Sequence, residues 1–283
     1  MRFASSHLKP PFCPALEGLG LADWDKNVID QGGKVKSLDG KIALVTGASG
    51  GIGRQIAVRL AESGVTIIAH FRSREECAEE TASAVRAVGS EIMLVKSDLS
   101  QSEGVRDLFA EVDKAFAAPL DILVNNAGAG SLATIAAIDD IEIERLFRVN
   151  LKATVLLTQQ ALTRFNDGGA IVNITSMSGL MAQPAGFAYG MCKAALNSFT
   201  VSLAAELSSR KIRVNAVAPG PTDTDLLNDY RANESAMDLL TGMAALGRLG
   251  TPDDIARIVR FLASPESGWL TGQILQASGG MRL

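Results

Sequence analysis

The stretch Lys41-Ile-Ala-Leu-Val-Thr-Gly-Ala-Ser-Gly-Gly-Ile-Gly53 decides how the chain reads. Ile42 to Val45 is a short apolar run, Thr46 leads into a loop with glycines at 47, 50, 51 and 53, and Ile56, Ala57 and Leu60 then recur at helical spacing. The pattern predicts strand, tight loop, helix. Glycine has no Cβ, so such a loop can take positive φ and let a ligand or another backbone come close. A helix that starts there presents unpaired N–H groups and a partial positive charge, which suit a pyrophosphate. The glycines do not follow the G-x-G-x-x-G spacing. A Gly-rich turn that merely packs has the same local signature, so corroboration has to come from elsewhere in the chain.

The chain has 283 residues, 47% of them hydrophobic, enough to bury a large core as one α/β domain. A formal net charge of −4, with lysines and arginines scattered, argues against a nucleic-acid partner. No apolar run reaches the roughly 18 residues that span a bilayer, so no membrane partner is expected. The three cysteines, Cys13, Cys77 and Cys192, lie far apart and form neither a disulfide framework nor a zinc pattern, which fits a reducing cytoplasm. With only two histidines, His7 and His70, there is little material for a metal site or a Ser-His-Asp triad. No metal is expected.

Residues 1–37 differ from the rest: prolines at 10, 11 and 14 and glycines at 18, 20, 32 and 33 interrupt any periodicity, which predicts an irregular or disordered N-terminal arm. Arg2 and Lys9 without an acid in the first 16 residues faintly suggest a targeting peptide, but no apolar segment follows, and a surface arm is preferred. From Leu38 to Leu283, strand-like runs (42–45, 65–69, 91–95, 122–124, 170–174, 212–217, 273–276) alternate with helical patterns at 74–88, 103–116, 141–165, 189–208 and 252–263. Asn150 is a candidate break in the third of these. Alternation of this kind predicts a single doubly wound domain, a parallel sheet with helices on both faces and ligands beyond the carboxyl ends of the strands. Polar residues do follow those strands: Thr46, then Arg72 and Ser73, Asp98, Asn125-Asn-Ala-Gly128, Thr175-Ser176 and Pro219-Gly220.

Tyr189-Gly-Met-Cys-Lys193 opens a helical segment. A four-residue step is just over one turn of about 3.6 residues, so the phenol and the ammonium share a face. Free tyrosine titrates near ~10, and a nearby positive charge lowers that value, making Tyr189 a candidate acid or base. Alone the pair also fits a casual surface helix. Ser176, just past the strand Ala170–Ile174, could donate to a substrate oxygen; it lacks a G-x-S-x-G elbow and a histidine base, so it does not read as a nucleophile. Cys192, between Tyr189 and Lys193, reads as helix packing, and His70 as a strand-end residue near the nucleotide.

Taken together, Thr46-Gly-Ala-Ser-Gly-Gly-Ile-Gly53, Asn125-Asn-Ala-Gly128, Asn150, Ser176, Tyr189-x-x-x-Lys193 and Arg213-Val-Asn-Ala-Val-Ala-Pro-Gly220 resemble the short-chain dehydrogenase/reductase family, from about Leu38 to Leu283. The flavour is that of its 3-oxoacyl-(acyl carrier protein) reductase and glucose dehydrogenase branches. The resemblance implies a Rossmann-type seven-stranded parallel sheet and hydride transfer between nicotinamide and a ketone or secondary alcohol. Ser176 would orient the carbonyl, Tyr189 transfer the proton, Lys193 hold the ribose and lower the Tyr189 pKa, and Asn150 keep a relay water. It further implies cofactor contacts from Thr46, Gly47, Ser49, Ile52 and Gly53 along the pyrophosphate side, Asp98 and Leu99 at adenine, Asn126, Ala127 and Gly128 at the ribose, and Pro219, Gly220 and Thr222 at the carboxamide.

NAD sites usually carry an acid about 20 residues past the glycine loop; here that place holds Phe71, Arg72 and Ser73. With no carboxylate to repel a 2′-phosphate and Arg72 to pair with it, NADP(H) is favoured, with NAD(H) the alternative. Many NADP-using relatives carry an arginine within the glycine loop where this chain has Gly50, and Arg54 is a possible substitute. Residues 221–250 would form a substrate lid, with Leu226, Leu227, Met237, Leu240 and Met243 facing Met177, Met181, Pro184 and Phe187. The segment 269–281 resembles the final strand that relatives use in tetramers, implying a homotetramer. The competing reading is a nucleotide-binding regulator that keeps the fold without catalysis; a Rossmann-type methyltransferase is disfavoured by the Tyr189–Lys193 helix and the glycine spacing.

Overall fold

A computed structural model of the chain describes residues 38–116, 118–231 and 233–281. The expected arm at 1–37 lies outside the described residues. Seven strands form one sheet: β1 (Ile42–Val45), β2 (Thr66–Phe71), β3 (Ile92–Lys96), β4 (Leu120–Asn125), β5 (Phe165–Ile174), β6 (Arg213–Pro219) and β7 (Ile274–Ala277). Their order is β3-β2-β1-β4-β5-β6-β7 and every pairing is parallel. The chain therefore runs outward from β1 to β3 and returns to the other side of β1. That reversal opens a crevice at the carboxyl ends of β1 and β4, where a doubly wound sheet takes its ligand. Pairing of Val45 with Val124 sets the two switch-point loops side by side.

Two helical layers cover the sheet, and β1 shows why both are needed. Ala43 and Val45 pack with α1 (Gly51–Ala61) and α9 (Pro252–Ala263) through Ile56, Leu60, Ile255, Val259 and Leu262. Leu44, pointing the other way, joins α3 (Ser102–Ala115), α5 (Ala153–Leu162) and α6 (Phe187–Glu206) through Leu108, Phe109, Leu157 and Leu203. Both faces of the central strands are apolar because both are buried. The remaining helices are α2 (Glu75–Ala87), α4 (Asp140–Phe147), α7 (Asn228–Arg231) and α8 (Glu234–Gly242).

Two stretches depart from the expected boundaries. The pattern over 141–165 is not one helix: α4 ends at Phe147, residues Arg148–Lys152 form a wide π-type turn, and α5 follows. Asn150 sits inside that turn, where insertion of an extra residue per turn re-aims a side chain without ending the helix. Strand β5 begins at Phe165 rather than Ala170, because Phe165 pairs with Leu120 before the register shifts. Within the expected lid, a turn at Asp225–Leu227 precedes α7 and α8. A bridge between Thr222 and Gly250, with Asp223 N–H on the Gly250 carbonyl at 2.8 Å, closes the base of this excursion.

Candidate active site

The glycine loop is shaped by positive φ at Gly47 (66°) and Gly51 (52°), values that favour glycine. A side chain on Gly53 would collide with the Gly47 carbonyl and come within 2.5 Å of the Asn126 amide, so α1 can dock only without one. From β4, Asn126 Nδ2 donates to the carbonyls of Thr46 (2.9 Å) and Gly47 (3.1 Å). Thr46 Oγ1 donates to Val124 O and accepts the N–H groups of Asn126 and Ala127. Thr46 is thus buried and fully engaged. Expected to lie along the cofactor, its side chain instead ties the loop to β4. Gly50, at the N-cap of α1, offers no side-chain cap, and the helix has no acid in its first turn. The positive end of α1 is open to an anion.

A cleft of about 270 Å³ runs along this edge, lined by Gly47, Ser49, Arg72, Ser73, Asp98, Leu99, Asn126, Ala127 and Gly128, all anticipated from the sequence. Its lining also includes His70, Arg74 and Arg145, which were not on that list of contacts. The signal for Arg74 was the second arginine of Arg72-Ser-Arg74. His70 Nε2–H donates to the Ser97 carbonyl (3.0 Å) and Nδ1 accepts the Gly47 N–H (3.3 Å). Burial takes His70 down to about 4, so the ring is neutral and bolts the glycine loop to the end of β3. Asp98, although burial opposes its ionised form, is held below the ordinary carboxylate range by bonds from Ser100 and the nearby Arg72 charge.

The second half of the site lies on β5 and α6. Ser176 Oγ accepts the Ser178 N–H at 3.1 Å, which leaves its own O–H to reach the Tyr189 phenol. Gly190, one residue beyond Tyr189, lets the Ser178 carbonyl press against α6: a Cβ there would sit 2.7 Å from that oxygen. Lys193 is buried, donates from Nζ to the Ile174 carbonyl at 2.9 Å, and lies 5.5 Å from the Tyr189 ring centre. A Cβ on Gly128 would lie 2.8 Å from Asn150 Oδ1 and 3.5 Å from Lys193 Nζ, so the bare glycine marks where these two groups converge. Asn150 is anchored through its side chain: Nδ2 donates to Ala129 O and Leu146 O, and Oδ1 accepts the Ala129 N–H.

The electrostatics differ from the expectation that Lys193 lowers the Tyr189 pKa. Burial pushes Tyr189 up to about 12 and outweighs the bond from Ser176, and burial brings Lys193 down to about 8. Desolvation disfavours both charged forms, and one N–H of the ammonium is held by the Ile174 carbonyl. Beneath the pair runs a buried polar chain across the sheet. Asn125 Nδ2 donates to Thr158 of α5 and to Asn173 Oδ1 of β5, and Asn173 Nδ2 donates to Thr200 of α6.

Thr46, Ile52, Gly53, Asn150, Ser176, Tyr189, Lys193, Pro219, Gly220 and Thr222 are not among the residues that line the cleft. Pro219 ends β6 and is buried, and Thr222 Oγ1 is turned back onto the Gly220 carbonyl at 2.9 Å. Arg54, the possible stand-in for a glycine-loop arginine, is committed to Ser49 O, Cys77 O, Thr81 and Glu80. Among the described residues, no cluster of three or more His, Cys, Asp or Glu side chains could hold a metal, and no helix is long and apolar enough to cross a membrane.

The sequence pattern described as enoyl-(acyl carrier protein) reductase matches residues 47–282. The chain belongs to the short-chain dehydrogenase/reductase family. It is 39% identical over 251 residues to an uncharacterized oxidoreductase of Methylorubrum extorquens, covering 88% of this chain and 100% of that one. It is 36% identical to a hydroxynaphthalene reductase-like protein of Metarhizium brunneum, covering 87% and 96%. Among solved structures, the angucycline C-6 ketoreductase LanV with bound NADP superimposes with a TM-score of 0.82 at 36% identity, covering 87% of this chain and 96% of the other.

Proposed function

We propose that the protein reduces a ketone to a secondary alcohol, or runs the reverse, with NADP(H) as the dinucleotide. The observation that carries the reading is the meeting of Ser176, Tyr189 and Lys193, with Lys193 Nζ beside the cleft-lining Gly128 and the Tyr189 phenol held further into its protonated range by burial. The residues present fit a dinucleotide: the bare floor at Gly47, Gly53 and Gly128 is a cradle that any Cβ would fill, and the uncapped start of α1 suits a pyrophosphate. At the end of β2, Arg72 and Ser73 stand where an acid would select NAD. Similarity to the ketoreductase solved with bound NADP supports the same choice.

When bound, the nicotinamide supplies or accepts a hydride. The chain's own residues handle the oxygen. Ser176 donates to the carbonyl oxygen from a hydroxyl oriented by the Ser178 N–H. Tyr189, neutral at physiological pH, gives its proton to that oxygen as negative charge develops there, acting as a general acid. Lys193 has two N–H groups besides the one held by Ile174, and these would hold the ribose hydroxyls of the bound dinucleotide.

The apolar lid residues and the methionine cluster of Met177, Met181, Met243 and Met281 support a substrate with an apolar flank. Free Cys77 and Cys192 support a cytoplasmic setting. A fully exposed Trp269 beside β7 supports assembly into a homotetramer, which light scattering would test. The central test follows NADPH oxidation over a panel of cyclic and aromatic ketones, β-ketoacyl thioesters and sugars, with Tyr189→Phe in parallel. Turnover lost by about 100-fold or more in the variant, with NADPH binding retained, supports the reading. Turnover that survives in Tyr189→Phe refutes the assigned proton donor, and tight NADPH binding with no turnover favours a nucleotide-binding regulator.

A further inference from the structure

At the opposite end of the sheet from the cleft, a second cavity of about 580 Å³ opens at the amino ends of β1, β4, β5 and β6. That volume suits a small organic ligand. Its walls are apolar where the strands begin, at Ile122, Ala170 and Ile212, and the buried Leu38 adjoins them. No heavy atom comes within 4 Å of the Cβ position on Gly168, so the space there is open. Trp269 stands at the rim and is 99% exposed, a large flat apolar surface left uncovered among the described residues. The charges around this cavity do not balance. Most lysines and arginines of the described residues are ion-paired with a carboxylate. Lys211 and Arg213 are not, and both line this cavity. Asp121, the carboxylate in the lining, is already engaged by Lys41 Nζ (3.0 Å), the Ile42 N–H (3.0 Å) and Asn166 Nδ2 (2.9 Å). Arg213 donates to the Leu262 and Ser264 carbonyls and to Ser267 Oγ, all neutral groups, and burial works against its charge. Lys41, Lys211 and Arg213 against Asp121 leave two positive charges in excess, on a chain whose net charge is −4.

Lys211 is also set in place by its backbone. It ends the short turn Leu207–Arg210 with φ 54° and ψ 22°, and it is the one non-glycine among the described residues with positive φ. Such a position ordinarily takes glycine or asparagine, and strain that a fold tolerates points to a ligand contact. We propose that this cavity is a second ligand site, separate from the dinucleotide cleft, which takes a small anion with a flat apolar body, of the aryl carboxylate class. The carboxylate answers the excess charge of Lys211 and Arg213, neither of which has an acid of its own. The ring packs between Trp269 and the apolar strand ends, where an aromatic face adds to the area buried. None of these residues belongs to the groups assigned to the dinucleotide or to proton transfer, so the site stands independently of the NADP(H) reading.

The test titrates the full-length protein by calorimetry with 2-naphthoate and with 2-naphthamide, its uncharged counterpart. Naphthoate should bind about 10-fold more tightly than naphthamide, the effect of one charge-assisted contact. Added NADPH should leave the naphthoate affinity unchanged. Lys211→Asn removes the charge with a residue that accepts the left-handed conformation, so the fold is kept and its urea midpoint should not fall. This variant should weaken naphthoate by about 10-fold and leave naphthamide alone, and Lys211→Arg should keep the wild-type affinity. Trp269→Ala should weaken both probes alike. Equal affinity for the two probes, full naphthoate affinity in Lys211→Asn, or displacement of naphthoate by NADPH overturns the proposal. So does the absence of naphthoate binding at millimolar concentration. A Trp269→Ala protein whose oligomeric state shifts by light scattering while its naphthoate affinity stays the same places the tryptophan in a subunit contact and refutes the site as described.

Discussion

Acidification should loosen the glycine loop through His70, by an amount that follows from its burial. The ring is 2% exposed and titrates at about 4 in the folded protein, against about 6.5 for an ordinary histidine. Below pH 6.5 the unfolded chain takes up a proton that the folded chain refuses. The unfolded state then binds more protons, and stability falls with falling pH until the folded state also protonates near 4. At about 1.36 kcal/mol per unit, the 2.5-unit gap amounts to about 3 kcal/mol in all, of which about 2 kcal/mol is gone by pH 5. The depressed carboxylates Asp98, Asp253 and Asp254 do not interfere, since their contribution is lost only below about 4.

The assay is urea unfolding between pH 7.5 and 4.5 for the wild type and His70→Asn, which keeps an acceptor for the Gly47 N–H but does not titrate. The variant should be the less stable at pH 7.5, and the gap should narrow by about 2 kcal/mol at pH 5. With only two histidines in the chain, the His70 ring signal can be followed directly by NMR. A constant gap across the range, or a His70 midpoint near 6.5, would refute the reasoning.

Three further perturbations test other parts of the structure. Gly53→Ala places a methyl group against the Gly47 carbonyl and the Asn126 amide; overpacking of this kind costs about 1–3 kcal/mol, and calorimetry should show dinucleotide affinity falling with the urea midpoint. Asn173→Leu takes the acceptor from Asn125 Nδ2 and the donor from Thr200 within the buried polar chain. Stranded polar groups cost about 1–3 kcal/mol each, so the thermal midpoint should drop clearly, and an unchanged one would mean the chain is not a stabilising network. Thr251→Ala removes the capping box in which Thr251 and Asp254 each bond the other's backbone N–H ahead of Pro252; the expected loss in denaturant unfolding is about 1 kcal/mol, with turnover unchanged.

What the sequence determined by itself was everything set by short-range periodicity and backbone chemistry. Alternation of apolar runs with 3.6-residue patterns specified a parallel doubly wound sheet, since crossovers of that length leave little other choice. The glycine loop specified its own sharp turn, and the step from Tyr189 to Lys193 specified a shared helical face, because both depend on residues a few positions apart. The tertiary structure decided whatever depends on groups far apart in the chain. Arg72 and Arg54 were the phosphate ligands the sequence offered; packing of α2 commits Arg54 to carbonyls and sets Arg74, which the sequence did not single out, over Gly50. The break around Asn150 was legible, but its form as a π-type turn, with the amide closed onto Ala129 and Leu146, came from contact with the loop after β4. The direction of the Tyr189 shift reversed for the same reason. Proximity in sequence suggested a charge effect, whereas burial, a property of the whole fold, is the larger influence and raises the phenol against the bond from Ser176.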